Sequence, residues 1–544
     1  MIGERAWTRA GLGWREAGVA AAAFLVVGFA ILGAHVANGG FMLDDWTWAS
    51  DHERLGGFFH TAWTYLRSST SYGGSRPGEA IYFALTFGIL GNHVGLQLAF
   101  ALVLAAFMST AVYCVLRGLG LELVHAGAIA LLVLLFPAAD APRLWTSAAY
   151  GQLGVGLYAC GVLLTLRGLR LRGRDSYAWH LGGLACYAAS LLTYEVAMGG
   201  VLVGVLLYRL RVPWRAALRR WVFDLALIVP EVVYLHHTKA ASVSVGHLVD
   251  RARLLQGEGR ILLTHLGIET GGARIPFWAF VLVVAVALAA AFAGRVPAAT
   301  RGPLRRWLAI LAAGVVAVGA GYLPFVSSSA FYTPLRQGTG NRTNIAAATG
   351  FAVVVYALAM LVASAAGRRW LGAAVSAALV GSLAGLWIDQ LNQDRQTWDR
   401  AAAIDRQTLA AVREAGRPPS GTRIYTFGQP GQTAPFVFTF SASWDLSGAV
   451  ELLWHDRTLY AVPSPTLEPD FPNIDDPSKP GNTPANSGLA CRARDVQPRG
   501  WLYVEGRDAS TYGKTLFVDV PTGRHELVRD RGTCLDWTRQ TASR

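Results

Sequence analysis

The chain has 544 residues, 53% of them hydrophobic and 15% charged, with a formal net charge of +13 and a mean hydropathy of +0.34. That average is too apolar for a water-soluble globule, and successive apolar runs of about 18 residues or more mark a polytopic membrane protein. The arginines lie between those runs rather than on one basic stripe, which excludes nucleic acid as a partner and assigns the charge to orientation in a lipid bilayer.

The first span, 17–36, is long enough at about 1.5 Å per residue to cross a hydrocarbon core of roughly 30 Å. Arg5, Arg9 and Arg15 precede it against Glu4 and Glu16, which places the N-terminus in the cytoplasm. A cleavable signal peptide is not expected, because the run is long and lacks a small-residue cleavage site. Just beyond it stands Phe41-Met42-Leu43-Asp44-Asp45-Trp46, on the outer face by that orientation. One aspartate is enough to cap a helix. Two adjacent carboxylates crowd like charge, which raises at least one pKa and suits a base.

The outer loop 37–92 continues with Phe58, Phe59, Trp63, Tyr65 and Tyr72. Phe58 to Leu66 is amphipathic and suits the membrane interface. A flexible Ser71-Tyr72-Gly73-Gly74-Ser75 leads to Arg76-Pro77, with Pro77 near the first turn of a second interfacial helix, Ile81 to Leu90. His93 closes the loop.

Further spans are expected at 93–116, 122–137, 150–167, 178–193, 195–209, 221–235, 276–294, 307–326, 345–366 and 370–388, about 11 in all. The cytoplasmic loops then collect Arg117, Arg170, Arg172, Arg174, Arg211, Arg215, Arg219, Arg220, Arg295, Arg301, Arg305, Arg306, Arg368 and Arg369. Tyr194-Glu195 is then an outer turn between two short spans. Asp140 and Arg143 follow Phe136-Pro137 on the same side and read as a site pair or a surface ion pair. Asp224 and Glu231 lie toward the ends of the seventh span.

Odd parity places residues 389–544 outside as a soluble domain behind the membrane domain 1–388. Asp389 to Glu414 has a helical pattern, with Leu391, Trp398, Ile404, Leu409 and Val412 as its apolar positions, and Pro418-Pro419 ends it. Ile424–Phe427 and Phe436–Phe440 read as strands, and 462–490 as a loop rich in Pro, Asp, Asn and Ser. The fold class is therefore mainly α, a polytopic membrane protein with a C-terminal extracytoplasmic α/β domain. Cys114, Cys160 and Cys186 fall in apolar spans as core residues. Cys491 and Cys534, the two in the tail, form a plausible disulfide if the tail lies in an oxidising compartment.

The acidic pair after span one, the two juxtamembrane helices, the Arg76-Pro77 step, the many spans and the C-terminal outer domain together resemble the GT-C superfamily of integral-membrane glycosyltransferases. The resemblance covers residues 1 to about 390 and lies in arrangement more than in letters. It implies a polyprenyl-phosphate-linked sugar donor and a catalytic carboxylate at Asp44 or Asp45. It also implies an acidic residue on a middle outer turn, which Glu195 matches, with a turn residue as the plainer reading. Such a donor needs cations for its phosphate. Arg336 and Arg342, with Lys239 and the His236-His237 pair, are the outer candidates, and Arg suits phosphate through its planar fork; lipid-headgroup anchoring is the plainer alternative. Arg76 and His93 complete the candidate acceptor and donor set.

No carboxylate stands at helical ligand spacing beside the dihistidine, so no metal is expected, and no cofactor is needed for a donor already activated. The expected reaction is transfer of the sugar to a cell-envelope glycan, glycolipid or protein, with inversion by single displacement. A transporter or flippase for a lipid-linked glycan, or a non-catalytic envelope-assembly protein, are the rival classes. The first predicts ionisable residues in mid-span and broken helices in matching halves.

Overall fold

The computed structural model describes residues 13–67, 76–238, 245–264, 298–327, 332–365, 369–466, 488–499 and 510–542. The chain opens with α1 (Trp14–Asn38), α2 (Asp44–Leu55), α3 (Phe58–Arg67), α4 (Pro77–Leu90), α5 (Val94–Gly118) and α6 (Leu123–Leu135). Among the described residues, six helices are long and apolar enough to cross a bilayer: Trp14–Asn38, Val94–Gly118, Thr146–Gly168, Leu304–Ser327, Thr339–Ser364 and Trp370–Glu414. Their apolar side chains divide between a packed core and faces that are open, such as Val19 and Val26 on α1. An open apolar face of this kind is what a lipid solvent accommodates. The structure is thus a mainly α membrane protein with a small C-terminal region that carries strands.

The other expected spans differ in form. Positions 178–193 lie in the helix Arg174–Thr193, and 221–235 in Trp214–Thr238. Residues 195–209 are broken into the short turns Glu195–Ala197, Met198–Leu202 and Gly204–Arg209. The broken stretch packs tightly on the helix Ala298–Tyr322, where a Cβ on Gly199 would fall 1.9 Å from the Ala320 carbonyl oxygen. The expected span 276–294 lies outside the described residues.

Helix Arg369–Glu414 runs unbroken for 46 residues, straight through the expected boundary at 388. It holds no proline, and its buried stripe continues through Trp387, Leu391, Trp398, Ala402 and Val412. This helix also holds the end of α1. Arg406 donates to the Gly39 carbonyl at 2.9 Å and to Asn38 at 3.0 Å, filling carbonyls that a helix end leaves open.

Past Gly416 the chain forms strands β1 (Arg423–Pro430), β2 (Gln432–Ala434), β3 (Val437–Phe438), β4 (Tyr460–Thr466), β5 (Gly488–Cys491), β6 (Asp495–Arg499), β7 (Ser510–Thr511), β8 (Thr515–Asp519) and β9 (His525–Leu527), of which four make a sheet ordered β4-β1-β8-β9. β1 pairs in parallel with both β4 and β8. Alternation along β1 sorts its side chains. Ile424 faces a core that includes Val412, Leu446 and Val450, while Tyr425 and Phe427 face Phe517 and Trp537 on the other side. Helix Ser443–Trp454 covers the first face and Arg531–Ala542 the second. Cys491 and Cys534 are bonded, with Cα atoms 5.9 Å apart, joining β5 (Gly488–Cys491) to that second helix. The expected loop 462–490 is corrected at both ends, where pairing with β1 carries strand through 466 and pairing with β6 (Asp495–Arg499) starts it again at 488.

Candidate active site

α2 begins at the acidic pair, and the two aspartates have different surroundings. Leu43 adopts φ 47°, which turns the chain sharply after Met42. Asp45 is fully buried. Its carboxylate accepts the Met42 N–H at 3.0 Å, the Ser147 N–H at 2.7 Å and the Ser147 hydroxyl. It therefore clamps the first loop to the turn before helix Tyr150–Gly168. Burial pushes Asp45 up to about 6, against the hydrogen bonds from Ser147, Thr146 and Met42.

Asp44 is only partly enclosed. Burial raises its pKa, while the Arg342 charge lowers it. Its carboxylate is therefore the one of the pair not committed to holding backbone amides.

Arg76 is the residue before Pro77 of α4 and is buried. Its Nε and Nη2 donate to Glu195 at 2.8 and 2.9 Å, a bidentate fork on one carboxylate. Nη1 reaches the Tyr150 hydroxyl at 3.3 Å and Glu79 at 3.4 Å. The guanidinium also lies over the rings of Tyr194 and Tyr332, 4.9 and 5.9 Å from their centroids. Such pairing is what makes a buried charge tolerable. Glu79 is pushed up to about 7, first by burial, with Arg76 lowering it and Glu195 and Asp44 raising it. Gly78 has a packing reason to be glycine: a Cβ there would sit 2.7 Å from the Thr193 backbone nitrogen, so α4 meets the 194–195 turn closely.

Arg342 approaches from the 3₁₀ turn Thr339–Asn344. It lies over Trp145 at 5.1 Å and Tyr332 at 5.4 Å, in electrostatic contact with Asp44. The turn is heavily anchored. Asn341 accepts the Ala141 N–H at 3.0 Å and donates to Asp140, and Asn344 donates to the carbonyls of Ala138 and Leu335 at 2.6 and 2.7 Å. Trp145 donates to the Met42 carbonyl at 3.1 Å, tying the floor under Arg342 to the loop that carries Asp44.

Asp44, Arg76, Glu195 and Arg342 thus meet in one cluster with Asp45 directly behind. His93 does not join it. That residue is exposed, and its carbonyl accepts the Leu96 and Gln97 amides at the start of α5. Arg336 is half-buried in the approach to the turn, where its carbonyl accepts from Asn341 at 3.3 Å. Lys239 lies outside the described residues, as do the side chains of His236 and His237.

Asp140 and Arg143 are not a surface pair. Both are buried, because the 137–148 turns fold inward between helices. Arg143 donates to the Leu134 and Phe136 carbonyls, and burial raises the Asp140 pKa above the ordinary carboxylate range. Asp224 likewise stands well inside its helix, paired with Arg220 at 2.7 Å and accepting from Tyr208 at 2.7 Å. Cys160 and Cys186 are half-buried on helix faces rather than in the core.

Glu79 was missed in sequence, though a lone Glu in the apolar helix after Arg76-Pro77 is the same signal that drew attention to Glu195. Tyr150, Tyr194, Tyr332 and Trp145 carry no such signal. Among the described residues, no three His, Cys, Asp or Glu side chains gather as metal ligands would. No protein-family model matches the chain, and no curated protein matches it either.

Proposed function

We propose that the chain is a membrane glycosyltransferase resembling the GT-C superfamily, transferring a sugar from a polyprenyl-phosphate donor to a cell-envelope glycan, glycolipid or protein. The observation that carries this reading is the convergence of Asp44 with Arg342, beside the Arg76–Glu79–Glu195 cluster, at one end of a set of apolar helices. Asp44 takes the proton from the acceptor hydroxyl as that oxygen attacks the anomeric carbon. The bond from that carbon to the phosphate oxygen breaks, and polyprenyl phosphate leaves with the electron pair into the field of Arg342. Attack opposite the leaving group inverts the anomeric centre. Asp45 orients the loop rather than touching substrate. Arg76, its fork filled by Glu195, stiffens the floor of the site.

A transporter for a lipid-linked glycan is favoured by one observation, the mid-helix Asp224. Its pairing with Arg220 and Tyr208 gives that carboxylate a packing role instead. The topology that goes with the enzyme has about 11 spans, a cytoplasmic N-terminus and the α/β domain outside the cell membrane. A reporter active only outside the cytoplasm, fused after residue 544, is expected to be active, and a signal from a cytoplasm-only reporter overturns that orientation.

The activity is tested with full-length protein in nanodiscs, radiolabelled polyprenyl-phosphate hexose and pentose donors, and alkyl-linked oligosaccharide acceptors. Transfer is expected from one donor class, and Asp44→Asn should lower turnover by about two to four decades. Absence of transfer from every donor, or normal turnover in Asp44→Asn, overturns the reading.

A further inference from the structure

We infer that one buried water is a fixed part of this fold, held between the Arg143 guanidinium and the Gln152 amide behind the candidate site. It sits under the turns that support the site, so its presence does not depend on what the site transfers.

Arg143 and Gln152 line a single cavity of about 10 Å³, enclosed further by Ala105 and Met108 of α5, Val133 and Leu134 of α6, and Ala348 of the helix Ile345–Ala365. A space of that size is just large enough for one water. Most of its lining is apolar, and a wholly apolar cavity stays dry. The two polar side chains reverse that balance. Arg143 is 4% exposed and Gln152 0%, so neither can turn to bulk solvent.

Both side chains are already pinned by the surrounding turns. Arg143 donates through Nη1 to the Leu134 carbonyl and through Nη2 to the Phe136 carbonyl, the second at 2.6 Å. Gln152 donates through Nε2 to the Pro142 carbonyl, which fixes which way its amide faces. That leaves Arg143 Nε as a buried donor and Gln152 Oε1 as a buried acceptor, and neither has a hydrogen-bond partner among the described residues. Buried polar atoms of this kind are satisfied as a rule. An anion would be repelled by Oε1 and a cation by the guanidinium, so the ligand is neutral and both accepts and donates. Water does this in the smallest volume, accepting from Nε and donating to Oε1.

The place of the water gives it a supporting role. Arg143 stands on the turn Ala141–Leu144 and Gln152 on the first turn of the helix Tyr150–Gly168. Between them lies Ser147, whose N–H holds Asp45 at 2.7 Å. The same stretch meets the Arg342 turn, where Asn341 accepts the Ala141 N–H at 3.0 Å. The bridge from Arg143 to Gln152 therefore closes a polar link beneath both halves of the site.

The test uses full-length protein in nanodiscs, X-ray radiolysis and peptide mass spectrometry. Radiolysis turns a bound water into a hydroxyl radical where it sits, and the nearest oxidisable group is the thioether of Met108, a buried residue on the cavity wall. Met108 sulfoxide is expected to form in the wild type and to fall to the unirradiated level in Ala348→Val, whose two added methyl groups fill the cavity. Equal Met108 oxidation in the two proteins, or none in the wild type, overturns the inference. If Ala348→Val does not fold, a cryo-EM map of the wild type that resolves ordered solvent at other buried positions decides the matter. A peak within hydrogen-bonding reach of Arg143 Nε and Gln152 Oε1 supports the water, and a map without one overturns it.

Discussion

Asp44 and Asp45 are neighbours in sequence, yet substitutions at the two should have opposite signatures. Asp45→Ala strips the acceptor from three buried donors, the Met42 and Ser147 amides and the Ser147 hydroxyl. Each orphaned donor costs about 1–3 kcal/mol. Against that, the substitution removes a carboxylate held at about 6 instead of 3.8, and relief of that burial returns about 3 kcal/mol at neutral pH. The net expectation is a loss of about 0–6 kcal/mol of stability, centred near 3. Asp44→Asn gives up the attraction of Arg342, but it also discharges a group whose ionisation burial disfavours. Its stability should be unchanged or slightly higher, and its turnover should collapse, the usual trade at a reacting group. Unfolding is followed by tryptophan fluorescence in a detergent titration, and turnover on the same preparations. A destabilised Asp44→Asn beside a silent Asp45→Ala would exchange the two roles and refute the assignment made here.

Arg342→Ala should weaken donor binding through loss of one or two charge-assisted hydrogen bonds, each worth roughly 1.5–3 kcal/mol, and Lys should restore only part because it lacks the fork. Equal donor affinity in wild type and Arg342→Ala, measured with the polyprenyl-phosphate sugar in nanodiscs, would remove this arginine from the phosphate. For Glu79 the sign runs against the usual carboxylate. Its folded carboxyl sits at about 7 against an ordinary 4.5, so between those values the folded state keeps a proton that the unfolded state releases. Stability from this group is full below 4.5, falls as pH rises toward 7 and is flat beyond it. Glu79→Gln should flatten that fall, adding about 3 kcal/mol at pH 8 and little at pH 4. Melting curves at the two pH values check it, and a larger gain at the acid end would reverse the sign.

What was legible in the sequence depended on range. Long apolar runs specify their own helices, because every backbone bond in lipid must close within the segment. The acidic pair, the Arg76-Pro77 step and Glu195 also announced themselves locally, as charges beside or inside apolar runs where an unpaired charge is costly. Pairing was not legible. Arg76 finds Glu195 across 119 positions, and nothing in either neighbourhood names the other. Asp140 and Arg143 misled for a related reason. A short polar stretch between two spans looks like surface, yet here the 137–148 turns are packed inward, with Asn341 donating to Asp140 and Arg143 donating to carbonyls of its own chain.

The boundary at 388 hides a structural coupling between the apolar helices and the C-terminal sheet. A composition change from apolar to polar marks where a helix leaves lipid, and it reads as the edge of a domain. The backbone has no reason to stop there, since Leu391, Trp398 and Ala402 keep a buried stripe on the same face. The helix therefore carries a rigid register from the membrane bundle into the sheet. On the way its Arg406 closes the end of α1, and its Asp405 accepts the Phe440 N–H at 2.8 Å. α1 sets where Asp44 begins, and Phe440 leads into the helix that carries Trp444. The loop that carries Asp44 and the helix packed on it are thus referred to one rod, with Thr47 donating to the Trp444 carbonyl at 3.3 Å and Gly448 seated against the Trp46 carbonyl.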